Sequence, residues 1–174
     1  MRCTFFGNEE ALMIKLVGTP HEHTAGMLTE VFLRLLADQG IRRPLLKSSE
    51  QEDWDARLWL TQTNGWTRLV LLVKIDKNKS HITFERWQSL PRPYQPGPQT
   101  RSHTLLIPQC VEKVITDFSQ YPNVTILGAP MHLPIQLMFD DLSTLPPNVD
   151  PNQCIIIPEA EFWEIGMEFA HDSQ

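Results

Sequence analysis

The sequence predicts an α/β (α+β) fold in which a central mixed β-sheet is flanked by helices. Three observations carry this prediction. Residues 69–75 are almost uniformly apolar, which is typical of a strand buried on both faces of a sheet. Residues 20–39 place apolar side chains at helical spacing. Residues 82–85 alternate between apolar and polar side chains, as expected for a strand with one face in water.

The composition indicates a single domain over residues 1–174 in a reducing compartment. The formal net charge is −6, and residues of both signs are interspersed. This argues against nucleic-acid binding by the surface as a whole, but it is compatible with a local basic groove. The three cysteines are widely separated and suggest no disulfide framework. Because the N-terminus does not resemble a secretory signal and no apolar run could span a bilayer, we expect an intracellular protein, cytoplasmic or nuclear, without membrane contact.

The N-terminal part of the chain predicts a strand and a helix. The strand covers Ala11–Val17, which is apolar except for Lys15. Thr19 is placed to cap the following helix, and Pro20 occupies the first turn, where its missing N–H is harmless. Gly40 is expected to end this helix. Its apolar stripe comprises Met27, Leu28, Val31, Phe32, Leu35 and Leu36.

The middle of the chain predicts a helix, a buried strand and a hairpin. The helix covers residues 53–63 and ends at Asn64-Gly65, because a helix terminus favours a residue with positive φ. Turn-forming residues at 76–80 connect the buried strand at 69–75 to the amphipathic strand at 81–87. The tryptophans of this region are expected mainly in the core, with base stacking as the alternative.

The C-terminal half predicts a loop, short strands and a closing helix. Residues 88–103 are dense in proline and are expected to form a long loop rather than a central strand. Short strands are expected at residues 104–107, 111–118 and 124–127. The helix, from about residue 158 to 170, places Phe162, Ile165 and Phe169 on one side and Trp163 and Met167 on a second apolar edge.

Residues 55–87, DARLWLTQTNGWTRLVLLVKIDKNKSHITFERW, resemble a group of fungal proteins with a PD-(D/E)XK nuclease-like (restriction-endonuclease-like) fold. That group typically combines an Asp-Ala-Arg-Trp-Trp-Leu helix, an Asn-Gly turn, an aliphatic strand and an Ile-Glu-Lys-Trp strand. Residues 11–41 and 124–139 resemble flanking segments of the same group. The resemblance implies a core in which two or three acidic groups and a lysine on adjacent strands hold Mg²⁺ and hydrolyse a phosphodiester.

The resemblance fails at residues 42–52, RRPLLKSSEQE. In the related proteins this interval carries a Pro-Asp segment and a Val-Glu-Val-Gly-like strand, and this chain has neither. We therefore expect a truncated core whose catalytic strands are missing. The resulting protein would be a pseudoenzyme without a cofactor, and nucleic acid is a partner only through the fold resemblance.

Two alternatives stay open. The first is an active Mg²⁺-dependent nuclease with relocated groups, and its candidate residues are Glu30, Glu50, Asp53, Asp55 and Lys74. Acidic residues in the first turn of a helix are also favoured by the helix dipole alone, and Lys74 is expected either beside Asp76 at an exposed strand end or in a remaining electropositive groove. The second is an interaction module, a homodimer or a binder of another protein, that uses residues 90–96 or the Trp163 edge.

Overall fold

The computed structural model describes residues 11–17, 21–41, 45–49, 54–63, 65–76, 80–92, 106–139 and 141–172. Within these ranges the chain forms three α-helices, eight strands and two short 3₁₀ turns. The helices are α1 (His21–Asp38), α2 (Trp54–Gln62) and α3 (Glu159–Asp172). The strands are β1 (Ala11–Val17), β2 (Leu45–Ser49), β3 (Leu69–Asp76), β4 (His81–Pro91), β5 (Leu106–Gln120), β6 (Asn123–Leu127), β7 (Met131–Pro134) and β8 (Cys154–Ile157).

The main sheet has six strands in the order β2-β1-β3-β4-β5-β6. Strand β1 is parallel to both of its neighbours, β2 and β3, whereas β3 through β6 are antiparallel to one another. The parallel pairs follow from two crossover connections, one through α1 and one through α2. Strands β7 and β8 form a separate antiparallel pair. The predicted α+β architecture with a mixed sheet is therefore confirmed.

The helices lie on both faces of this sheet. Helices α1 and α3 pack on one face, where the larger core includes Phe32, Phe84 and Phe162 together with residues of β7 and β8. Helix α2 packs on the other face, where Ala56 and Leu60 contact Val70. We call these the α1/α3 face and the α2 face. Strand β3 is buried under both helical layers, as its unbroken apolar run predicts.

The two predicted helix ends are also confirmed. Gly40 follows α1 with a φ of 72°, and Gly65 follows α2 with a φ of 87°. A residue with a side chain is strained in this left-handed region, so glycine ends each helix without that penalty. The apolar stripe of α1 faces the core: Leu28, Phe32 and Leu36 are buried, and Met27, Val31 and Leu35 pack against them.

A strand that the sequence did not predict lies between α1 and α2, in the interval where the catalytic strands are expected to be missing. Leu45–Ser49 forms β2, an edge strand that is parallel to β1. Its sequence, LLKSS, has two apolar residues and no clear alternation. A short edge strand is held mainly by main-chain hydrogen bonds to its neighbour, so its side-chain pattern carries little signal.

The proline-rich segment begins later than predicted. Strand β4 continues to Pro91, and its last residues pair with the start of β5, with Ser89 opposite Pro108. Strand β3 begins at Leu69, opposite Gln88, so this end of the hairpin extends beyond β3. Proline is tolerated there because, among the described strands, none beyond β3 lies beside this end of β4 to need its missing N–H. Residues 93–103 of the predicted loop lie outside the described residues.

Strand β5 is one continuous strand of 15 residues, whereas the sequence predicts two short ones. A bulge explains the ambiguous pattern: Arg86 pairs with Glu112, but Trp87 pairs with Cys110, so one residue of β5 is left without a partner in β4. Beyond the bulge, the odd-numbered and even-numbered residues of β5 exchange the faces of the sheet to which they point. A single alternating pattern therefore cannot run through the whole of β5.

The predicted buried side of the closing helix is confirmed, but the prediction that the tryptophans lie mainly in the core is confirmed only in part. Phe162, Ile165 and Phe169 of α3 are buried in the larger core. Trp59 and Trp87 pack against the smaller core on the α2 face, whereas 56% of Trp66 is exposed. No helix in the described ranges combines the length and apolarity needed to cross a membrane.

Candidate functional site

Strand β4 carries buried polar residues at the centre of the sheet. The sequence predicts that Thr83 and Glu85 face water, and this is wrong: Thr83, Glu85 and Arg86 are all buried. The reason is that β4 is an inner strand whose two faces are covered, by α2 on the side of Glu85 and by the larger core on the side of Arg86. A charged side chain in such a position is stable only when it is paired and hydrogen-bonded. Each of these charged residues has such partners.

Glu85 lies on the α2 face and is enclosed by cationic and N–H groups. Lys74 Nζ of β3 is 3.0 Å from its Oε2, and Lys113 Nζ of β5 is 3.7 Å from its Oε1. The indole Nε1 of Trp87 donates to the same Oε2 at 3.0 Å. Only 8% of the Glu85 side chain is exposed. Both carboxylate oxygens are therefore occupied, and we call these four residues the Glu85 cluster.

Helix α2 closes one side of the Glu85 cluster. The Arg57 guanidinium lies 5.7 Å from the centre of the Trp87 ring, a cation–π geometry. Trp87 also packs against the Ala56, Leu60 and Val70 core. The aromatic ring thus connects the helix to the buried carboxylate, which limits how Glu85 can move.

Cys110 lies beside the Glu85 cluster, opposite Trp87. Partial burial of its thiol, together with the charge of Glu85, raises the pKa of Cys110, and the nearby Lys113 and Lys74 ammonium groups only partly oppose this. A thiol attacks as its thiolate, so a raised pKa makes Cys110 a poor nucleophile at neutral pH.

Arg86 lies on the α1/α3 face, directly behind Glu85. Its Nε donates to Glu112 Oε2 at 3.1 Å, and its Nη1 donates to Gln88 Oε1 at 2.5 Å. Strand β7 adds His132, whose backbone N–H donates to Glu112 Oε2 at 2.8 Å and whose Nδ1 lies 2.9 Å from Glu112 Oε1. These four residues form the Arg86 cluster, which attaches the small sheet to β5.

The electrostatics of the Arg86 cluster favour an ionised Glu112. Burial acts to raise the pKa of Glu112, but the hydrogen bonds from the His132 backbone, Arg86 and the His132 ring outweigh it and lower that pKa. The His132 side chain is 43% exposed, with Nδ1 fixed against the carboxylate. An oriented imidazole can transfer a proton, yet none of the described serine, threonine or cysteine side chains is hydrogen-bonded to it.

The residues predicted as relocated nuclease groups do not meet in the described structure. Glu30 is exposed on α1, and the backbone of Asp55 lies in α2, so the sheet separates these two positions. Glu50 and Asp53 lie outside the described residues. Lys74 belongs to the Glu85 cluster. It pairs with Glu85, which the sequence did not predict as its partner, and its side chain is 31% exposed.

The Mg²⁺ that the nuclease resemblance implies does not fit these residues. Magnesium needs several oxygen ligands that converge, and the oxygens of Glu85 face two ammonium groups and an indole N–H instead. Within the described ranges, no group of three or more His, Cys, Asp or Glu side chains could hold a metal ion. The charges at the centre of the sheet are neutralised by side chains of the protein.

The sequence carried only a partial signal for these clusters. Lys74 interrupts an apolar run, which indicates a cation that is either paired or reaches water with its tip. Glu85 gave no such signal, because an alternating strand predicts a solvated polar face. Arg86 falls on the same face as Ile82 and Phe84, where alternation predicts an apolar residue. Glu112 and His132 are 20 residues apart, and only the folding of β7 onto β5 brings them together.

Comparison with known proteins identified no relative: no family model, no curated protein and no solved structure matches this chain.

Proposed function

We propose that this chain is a non-catalytic protein of the PD-(D/E)XK nuclease-like type that works by binding, in the cytoplasm or the nucleus. The observation that carries the proposal is the Glu85 cluster, in which the buried carboxylate at the centre of the sheet is neutralised by Lys74 and Lys113. In an active nuclease of this type, a carboxylate in the sheet would share a metal with a second acid. In this chain a lysine lies beside each oxygen of the Glu85 carboxylate instead.

The second cluster supports the same proposal. Glu112 is a partly buried carboxylate of the inner strand β5, and it is held by Arg86 and His132. Releasing Glu112 for a metal would leave the buried Arg86 without this carboxylate, which is strongly unfavourable, and releasing Glu85 would leave the partly exposed Lys74 and Lys113 without theirs. The arrangement favours a structural role for both carboxylates.

The test is a calorimetric titration of the folded protein with Mg²⁺ or Mn²⁺, run beside a cleavage assay on single-stranded and duplex DNA. We expect no saturable metal binding and no cleavage. Metal binding accompanied by cleavage would contradict the proposal, provided that both are lost in Glu85→Gln, Asp53→Ala or Asp55→Ala. Glu164→Gln is the matched control, because it removes an exposed carboxylate of α3.

A protein-interaction role is the second candidate function, and a specific observation favours it. Trp163 is 44% exposed on α3, and Met167 one turn later is only partly buried. A large aromatic side chain at the surface is characteristic of protein interfaces. Nucleic acid remains a partner class proposed from the nuclease resemblance alone, and electrophoretic mobility shift with the same DNA tests it.

A further inference from the structure

Strand β6 is an edge strand that carries no charged residue and no proline. Within the described residues, β5 is its only neighbour, so one row of main-chain N–H and C=O groups is open. Exposed edges are normally blocked by charged side chains, prolines or bulges. The five residues of β6, Asn-Val-Thr-Ile-Leu, include neither a charge nor a proline, and 57% of Leu127 is exposed. The pairing of β5 with β6 has one register shift, and its extra residue belongs to β5, between Asp117 and Gln120.

Helix α3 adds an apolar flank above this edge. Glu161, Glu164 and Glu168 line a groove that α3 shares with α1. At 100° per residue, Trp163 and Met167 lie on the other flank of the helix, away from α1. Since α1 contacts β1 whereas α3 contacts β5 and β6, that flank is on the side of the open edge.

The position of α3 relative to β6 leaves room for a second copy of the chain to pair with the open edge of β6. Gly166 sits over both strands: a Cβ there would be 2.3 Å from Thr116 Cγ2 of β5 and 3.2 Å from Val124 Cγ1 of β6. The axis of α3 therefore runs above the space between β5 and β6. If a second β6 paired with the first about a two-fold axis, the two α3 helices would lie two strand spacings apart, about 9.6 Å. Packed helices are separated by about 8–10 Å.

We infer that β6 and the Trp163 flank of α3 form a homodimer interface, with the two β6 strands antiparallel and the two α3 helices side by side. Two copies that each carry a net charge of −6 repel each other, so contact is favoured where charged side chains are sparse. The residues of β6, Trp163 and Met167 are uncharged, with Glu159, one turn before Trp163, at the border of this patch. A strand of five residues, about 17 Å long, buries too little by itself for the roughly 800 Å² per partner that stable interfaces reach. The two α3 flanks supply the remaining area.

The inference deepens the protein-interaction role and rests on it, but it does not depend on the absence of catalysis. The test is sedimentation equilibrium over a wide concentration range. We expect a wild-type dimer. Thr125→Lys puts two ammonium groups close together at the paired edge and should weaken the dimer about tenfold or more, which corresponds to about 1.4 kcal/mol. Trp163→Ser should weaken it to a similar degree.

Matched controls separate the edge from general effects of charge. Gln136→Lys makes the same charge change at an exposed position of a 3₁₀ turn and should leave the dimer intact. Thr125→Val keeps the strand apolar and uncharged and should also leave it intact. Circular dichroism of each variant establishes that the monomeric unit is folded.

Two outcomes would overturn the inference. The first is a wild-type monomer at every concentration, and the second is a dimer that Thr125→Lys and Trp163→Ser leave unchanged. In the case of a monomer, hydrogen exchange separates this failure from failure of the interaction role. Fast exchange of the outward β6 amides would leave the edge open to an extended segment of another protein, whereas slow exchange would mean that the chain itself covers the edge.

Discussion

Lys74 Nζ lies 3.0 Å from Glu85 Oε2, and this ion pair joins β3 to β4 in the middle of the sheet. In the strand register Lys74 is opposite Thr83, so its side chain reaches diagonally to Glu85, two residues along. The same carboxylate accepts from Trp87 and faces Lys113. Residues of three strands, β3, β4 and β5, therefore contact one buried carboxylate. We expect the stability of the sheet to depend on it.

Removing the carboxylate of Glu85 should destabilise the fold. Glu85→Ala leaves the Trp87 N–H and two ammonium groups without their acceptor, and we expect the free energy of unfolding to fall by about 3 kcal/mol. The value is at the low end for buried pairs because Lys74 and Lys113 are partly exposed. Urea unfolding measures it. Glu85→Gln, which keeps an acceptor for Trp87, should lose less, and Glu164→Ala on the surface should lose little. Equal losses in Glu85→Ala and Glu164→Ala would contradict the prediction.

Glu112 should make stability depend on pH in the acid range. Its pKa in the folded protein lies below the ordinary value of 4.5, although burial acts in the opposite direction. A carboxyl with a lowered folded-state pKa contributes stability above its unfolded pKa, and this contribution disappears as pH falls through the folded-state pKa. Unfolding measured by urea at a series of pH values from roughly 6 down to 3 should therefore show a smaller acid loss in Glu112→Gln than in the wild type.

The controls for this pH dependence are other carboxyls. Asp117 and Asp141 also have a lowered pKa, because Ser119 and Ser143 donate to them, so part of the acid loss should persist in Glu112→Gln. Glu164→Gln should reproduce the wild-type curve. An unchanged acid loss in Glu112→Gln would show that the Arg86 cluster does not hold Glu112 in its charged form.

Cys110 should react slowly with iodoacetamide at neutral pH. Burial and the charge of Glu85 raise the pKa of its thiol, so little thiolate is available. Mass spectrometry of the Cys110 peptide measures the rate, with the urea-unfolded chain as the reference. Glu85→Gln removes one of the two causes and should accelerate the reaction. If folded and unfolded chains react equally fast, the electrostatic account of this site is wrong.

Gly166→Ala and Gly26→Ala should have opposite effects on stability. A Cβ at position 166 would lie 2.3 Å from Thr116 Cγ2, and Thr116 is buried and cannot yield. Overpacking of this kind costs about 1–3 kcal/mol, more than the gain in helix propensity. A Cβ at position 26 would meet nothing within 4 Å, so Gly26→Ala should stabilise α1 by about 0.5–1 kcal/mol. Thermal unfolding compares the two variants, and a stabilised Gly166→Ala would contradict the close packing of α3.

The elements with strong local signals could be predicted from the sequence. Strand β3 is buried on both faces, so its consecutive residues are apolar. Helix α1 is buried on one side, so its apolar residues recur at helical spacing. In both cases the pattern lies within the element itself and can be read from the sequence. The same holds for the Phe162, Ile165 and Phe169 side of α3. Strand β2 and the continuous β5 escaped prediction, since one is held by main-chain bonds to a neighbour and the other contains a bulge.

The sequence by itself determined the helix-and-sheet architecture, the two glycine helix ends and the presence of a lysine within an otherwise apolar strand. Only the tertiary structure decided that the partner of this lysine is Glu85, that Arg86 meets Glu112 and His132 behind it, and that the β6 edge lies beside the Trp163 flank. The physical reason is that hydrophobic periodicity is a property of consecutive residues. A buried charge pair depends instead on strand order and register, which bring together residues far apart in the chain.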